Sequence, residues 1–145
     1  MNFKYIVGVF LILAVFVPLT TFGATIKVGD TYTFQEGETL RDNLYIGAGE
    51  VASDGNVFGD LLIGGGSVTV TGNVSGDATI AGGDISVLER VQGDLRIVGG
   101  DILVTENVTG DLMVVGGNVR VLAGATVGKD LVVLGGRVVV QGKDR

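Results

Sequence analysis

The stretch Gly93-Asp94-Leu95-Arg96-Ile97-Val98-Gly99-Gly100-Asp101-Ile102-Leu103-Val104 decides how the rest of the chain is read. The same frame returns at one constant step, with Gly-Asp at Gly59-Asp60, Gly76-Asp77 and Gly110-Asp111, and Gly-Gly at Gly65-Gly66, Gly82-Gly83 and Gly116-Gly117. A fixed period of this length is the signature of a repeat architecture. Gly135-Gly136 follows the last of these pairs two positions later than the step requires, so two residues are inserted there, at the Ala123–Val127 corner or at Lys129, which splits Gly128 from Asp130. Shifting back from Leu61 and Ile63 lands on Leu44 and Ile46. Six repeats therefore begin near Asp42.

Within each repeat the apolar residues alternate with polar or small ones, which is strand spacing. Five inward columns result. Leu44, Leu61, Ala78, Leu95, Leu112 and Leu131 form the first, and Ile46, Ile63, Ile80, Ile97, Val114 and Val133 the second. Val51, Val68, Ile85, Ile102, Val119 and Val138 form the third, and Val70, Val87, Val104, Val121 and Val140 the fourth. Val57, Val74, Val91 and Val108, joined by Val127, form the fifth. β-branched side chains suit a pleated, buried surface and lose freedom in helices, so a helical solenoid fails on period and on propensity. A repeat of this length is too long for one strand and too short for a strand and a helix. The pattern predicts an all-β fold, a single-stranded parallel β-helix of six turns around an aliphatic core, with glycines where stacked turns bring backbone against backbone. A lone turn cannot fold; neighbours share hydrogen bonds and core.

The ends read differently. Met1 to Ala24 carries Lys4, an apolar run from Tyr5 to Val17, then Pro18 and small or polar residues, which is the grammar of a signal peptide, too short for a membrane span. Export to the periplasm, cell surface or beyond is expected, with no stable membrane span. Residues 25–41 fall outside the repeat frame, and the alternation of Ile26, Val28, Tyr32 and Phe34 predicts a capping strand or partial turn over a repeat domain of residues 42–145. Ser53, where later repeats place Val, reads as a polar rung at that end.

Composition removes much chemistry. The chain has no Cys and no His, so disulfides, Cys/His zinc sites and Cys- or His-based nucleophile systems are out. Ten Lys and Arg against 16 Asp and Glu, a net charge of −6, disfavour a nucleic-acid partner. Removing Met1–Gly23 takes away one Lys and no acid, leaving nine against 16 and a net charge of −7. The Asp column Asp60, Asp77, Asp94, Asp111 and Asp130 suggests a calcium ladder, but the repeat lacks the Gly-Gly-x-Gly-x-Asp arrangement of calcium-binding rolls. Corner carboxylates accepting hydrogen bonds from local backbone N–H groups explain it better. Asp84 and Asp101 belong to a mixed, solvated edge. Asn73-Val-Ser75 and Asn107-Val-Thr109 match a glycosylation sequon, yet their recurrence fits corner asparagines. No cofactor, metal or catalytic residue is expected. A polysaccharide lyase or hydrolase would need a long cleft, grouped carboxylates and aromatic platforms, and left-handed helices with acyltransferase or carbonic anhydrase activity depend on His.

The pattern Gly-Asp-Leu-x-Ile/Val-x-Gly-Gly-x-Val/Ile-x-Val in Gly59–Val70, Gly93–Val104 and Gly110–Val121 resembles the bactofilin family of polymer-forming cytoskeletal proteins, in particular its exported, signal-bearing members, over Asp42 to Val140. The resemblance implies a right-handed β-helix with a triangular aliphatic core, no nucleotide, and end-to-end polymerisation into filaments. On that basis Leu131, Val133, Val138 and Val140 are expected to form an end-to-end interface. The outward residues Val98, Met113, Val115, Val132 and Leu134 form a lateral apolar face expected to meet a partner or a second copy. A monomeric module that binds envelope polysaccharide or another protein is the alternative.

Overall fold

The structure is a computed structural model that describes residues 24–122 and 125–141. Among these residues nine strands follow one another: β1 (Ala24–Phe34), β2 (Thr39–Leu40), β3 (Asn43–Ser53), β4 (Asn56–Val57), β5 (Leu61–Val70), β6 (Ala78–Val87), β7 (Leu95–Val104), β8 (Leu112–Val121) and β9 (Leu131–Val140). Seven of them form one parallel sheet in the order β1-β3-β5-β6-β7-β8-β9, and β2 pairs with β4. Single parallel bridges run Val57, Val74, Val91, Val108 and Val127, giving the third line of contact around the coil. The molecule is a β-solenoid. The signal-peptide reading of Met1–Ala24 lies outside the described residues except for Ala24, which opens β1, and the charged residues Lys143, Asp144 and Arg145 lie outside them as well. Among the described residues no helix is long and apolar enough to cross a membrane.

Each long strand turns a corner within itself. Along β5 the inward residues are Leu61 and Ile63, then Val68 and Val70, so the alternation changes phase between Ile63 and Val68. A straight strand keeps its phase, because successive side chains point to opposite faces. The phase change is the Gly64–Ser67 corner, repeated in every turn. The first glycine of each pair is needed for proximity: a Cβ on Gly99 would lie 2.6 Å from the Gly82 carbonyl oxygen and 2.9 Å from Ile85 Cδ1.

The five columns are buried as a continuous aliphatic core from Leu44 to Val121. The first rung is fuller than the repeat frame suggests. β1 pairs with β3 along its whole length, from Ala24↔Asn43 to Phe34↔Ser53, an offset two greater than the one that pairs Thr39–Leu40 with Asn56–Val57. Residues 24–42 thus form a seventh turn, where six turns and a partial cap were expected. The two extra residues sit between Phe34 and Thr39, in a turn in which the Glu38 N–H donates to the Gln35 carbonyl (3.1 Å) and Gly37 has φ 85°. A glycine with positive φ in the third position is what a type II turn demands.

That offset corrects the facing of the first strand. Thr25 and Lys27 lie in register with the inward Leu44 and Ile46, while Ile26 and Val28 point outward. Tyr32 and Phe34 are inward, because the corner reverses the phase. Ser53 is therefore no terminal residue. It is 1% exposed between Phe34 and Val70, and its hydroxyl has no hydrogen-bond partner. At the other end the insertion lies wholly in the corner before Val127, since Val127 already pairs with Val108 at the same lengthened offset that Asp130 keeps with Asp111. Lys129 replaces a glycine and adds no residue to the turn.

Candidate self-association interface

The Asp column is a hydrogen-bond ladder between turns. The backbone N–H of Asp60 donates to Asn43 Oδ1, that of Asp77 to Asp60 Oδ1, that of Asp94 to Asp77 Oδ1 and that of Asp111 to Asp94 Oδ1, each at 2.8 Å. Asp130 N donates to Asp111 Oδ1 at 3.0 Å. The donors belong to the following turn and not to the local corner, a difference that spacing along the chain does not reveal. A carboxylate that accepts a backbone N–H makes a charge-assisted bond, so each Asp ties its turn to the next. The ladder opens with Asn43, whose own N–H is taken by Asp42 Oδ1 (2.8 Å), because Ala24 has no acceptor to offer. It ends at the carboxylate of Asp130, beyond which no described turn supplies a donor. Among the described residues no three Asp or Glu side chains gather as a metal-binding group.

At the asparagine corner Asn56 Oδ1 accepts from Asn73 N (3.2 Å) and Asn107 Oδ1 from Thr126 N (3.1 Å), so Asn56 and Asn107 each bridge by side chain to the following turn, while Asn73 takes part through its backbone N–H.

Two surfaces are left without covering partners among the described residues. The first is the C-terminal end. Leu131, Val133, Val138 and Val140 continue the core columns in register with Leu112, Val114, Val119 and Val121. Leu131 is 40% exposed, Val138 41% and Val140 46%, and Val133 is half-buried, whereas their partners in β8 are fully buried. The bare edge of β9 also presents backbone N–H and C=O groups to any strand that can pair with it.

The second surface is the lateral face. Met113 stands beside Val132, and Val98, Val115 and Leu134 form the neighbouring outward column. All five side chains are exposed, Leu134 most of all. The structure brings these residues into one patch, which meets the C-terminal end at Val132 and Leu134. Ile26 and Val28, the first members of the same two columns, are also exposed, and the repeat frame missed them because of the longer first turn.

Past the Gly-Gly corner, the neighbouring wall carries a shallow groove of about 520 Å³. Its polar lining is Asp84, Ser86, Asp101, Asn118, Arg120 and Arg137, and Asn118 Nδ2 donates to Asp101 Oδ1 at 2.7 Å. The groove mixes both signs of charge, with Asp84 and Asp101 register partners on adjacent turns. On the first rung the Tyr32 phenol is pushed upward by burial and then by the nearby Glu38 carboxylate.

Set against protein-family models, curated proteins and solved structures, the chain matches none.

Proposed function

We propose that this protein is a non-enzymatic structural component of the cell envelope that self-associates through the end of its solenoid. The observation that carries the reading is the open C-terminal rung: four aliphatic side chains in core register, with an unpaired strand edge and no cover among the described residues. Burial of apolar surface and completion of strand pairing both favour a second chain at that end. The repeat pattern supports the reading through its resemblance to bactofilins, polymer-forming proteins with stacked β-turns, and the apolar N-terminal run supports export. A polymer needs two adhesive ends, a paired assembly only one.

The test is Val138→Glu in the chain from Ala24 to Arg145, which contains every described residue. A carboxylate on the exposed end is tolerated by a monomer but is buried unpaired by association. Sedimentation velocity should show concentration-dependent assembly of the parent chain and only monomer for the variant, with the β-sheet circular dichroism spectrum unchanged. Assembly that survives in the folded variant, or a parent chain that stays monomeric at high concentration, sinks the proposal. In the latter case a monomeric module binding envelope polysaccharide or protein, with the lateral patch as its contact, takes its place.

A further inference from the structure

The groove past the Gly-Gly corner is polarised along its length. Two columns of outward side chains wall it, Asp84, Asp101, Asn118 and Arg137 on one side and Ser86, Leu103, Arg120 and Val139 on the other, each in register from β6 to β9. Inward residues alternate with them, so the floor is the backbone of Ile85, Ile102 and Val119, whose side chains are buried beneath it. Both acids stand on β6 and β7, and both arginines on β8 and β9. Equivalent positions on neighbouring strands are about 4.8 Å apart, which puts the centres of negative and positive charge two strands, or about 10 Å, from each other. These charges are not spent on one another. Among the described residues neither Arg120 nor Arg137 pairs with a carboxylate, the ion pair there being Arg96 with Asp94. Asp101 gives one oxygen to Asn118 and keeps the other.

Such a groove selects by the order of charges. A polyanion drawn to the arginines has to pass Asp84 and Asp101, and a polycation held by the acids has to pass Arg120 and Arg137. A ligand with one charge of each sign about 10 Å apart satisfies both ends. Extended peptide advances about 3.3–3.6 Å per residue, so three residues carry their terminal groups that far apart. We infer that the groove binds a short extended peptide of about three residues with both ends free, its ammonium between Asp84 and Asp101 and its carboxylate on Arg120 and Arg137. A guanidinium meets a carboxylate in bidentate fashion, which fixes the direction of the peptide. Leu103 is half-buried beside Arg120 in the same column, near the middle of the span, and offers apolar contact to a central side chain. The volume of about 520 Å³ is that of a small-ligand site. A second copy of this wall, turned antiparallel, also presents opposite charges, but two concave faces laid together leave their floors unfilled. The groove is open to water, so binding is weak and exchange fast. The inference stands apart from the self-association reading, because none of the four charged residues is among the aliphatics of the open end.

The probe is alanyl-leucyl-alanine with free ends, titrated into isotopically labelled protein expressed from the full chain and followed through backbone amide shifts. Saturable shifts are expected along the groove floor, at Ile85, Ile102 and Val119. Acetylating the amino end or amidating the carboxyl end should each weaken binding about tenfold or more, through loss of a charge-assisted contact. Arg120→Gln with Arg137→Gln should weaken the free peptide by a similar factor and leave the amidated peptide's residual binding unchanged. Asp84→Asn with Asp101→Asn should do the same for the acetylated peptide. All four side chains are exposed, and the blocked peptides test the parent chain itself, so the outcome does not hang on any variant folding. The inference is overturned if no saturable shift appears at the groove, or if a peptide blocked at both ends binds as well as the free one. Tighter binding of polygalacturonate or spermine than of the tripeptide overturns it too, as do groove amides that shift with protein concentration alone, which would make the wall a contact between copies.

Discussion

The two ends of the solenoid are built from the same columns and finished in different ways. At the first rung Phe34 heads the fourth core column and is 6% exposed; at the last, Val140 ends the same column and is 46% exposed. The difference comes from what surrounds them. The Gln35–Glu38 turn, two residues longer than its counterparts, brings the Gln35 and Glu38 carbonyls and the Phe34 ring together over Gly55, so closely that a Cβ there would meet all three. Thr25 and Lys27 give the neighbouring wall polar ends. The last rung has none of these features among its described residues. A stack of identical turns leaves an open strand edge at each end, and this chain departs from identity at its first rung.

The sharpest way to break this comparison is to truncate the two column ends. Phe34→Ala should cost about 3–5 kcal/mol of folding free energy, the range for a buried aromatic. Val140→Ala should cost under about 1 kcal/mol in dilute solution, because nearly half of its surface is in water already. Urea denaturation of both variants measures the gap. Equal losses would mean that the last rung is as well covered as the first.

The Asp ladder offers a second, smaller contrast. Asp94 accepts the Asp111 N–H and also pairs with Arg96 at 3.3 Å, whereas Asp130 accepts nothing from a described residue. Asp94→Ala should therefore cost about 1.5–3 kcal/mol, the value for a hydrogen bond to a charged group, and Asp130→Ala should fall within about 0.5 kcal/mol of the parent. If Asp130→Ala is as damaging as Asp94→Ala, the last carboxylate has a donor and the ladder does not stop there.

These contrasts also show what could be read in the sequence and why. Columns such as Ile63, Ile80 and Ile97 were legible because the turns that carry them have the same length, and a one-dimensional repeat converts directly into stacking. The exposed character of the last rung followed from the same register. Where the turn length changes, the reading fails. The longer corner shifts β1 by two residues, so the constant frame leaves it unassigned, and simple alternation then places Ile26 and Val28 on the same side as Tyr32 and Phe34. The corner reverses that alternation. Ser53 looked like an end residue because it interrupts a valine column; in the structure a small side chain faces the large ring of Phe34, at the cost of one buried hydroxyl without a partner. The Asp column was visible, but its donors lie a full turn away in sequence, and only the stacking shows that the following turn supplies them.

The smallest expected effect concerns the closed end and pH. Tyr32 faces inward on the first rung, and burial, followed by the Glu38 carboxylate, holds its phenol above the ordinary tyrosine range. The folded state thus keeps the proton over a window in which the unfolded chain has released it. Linkage then requires stability to fall as pH rises through and above about 10, the unfolded value, and to be unaffected by this group below it. Urea midpoints from mildly to strongly alkaline pH should sag for the parent chain and sag less for Tyr32→Phe. Since the phenol is only partly buried, the change should be a fraction of that seen for Phe34→Ala. Were the alkaline sag unchanged in Tyr32→Phe, the first rung would be looser than its long turn and the buried Phe34 imply, and the contrast between the two ends would lose one of its supports.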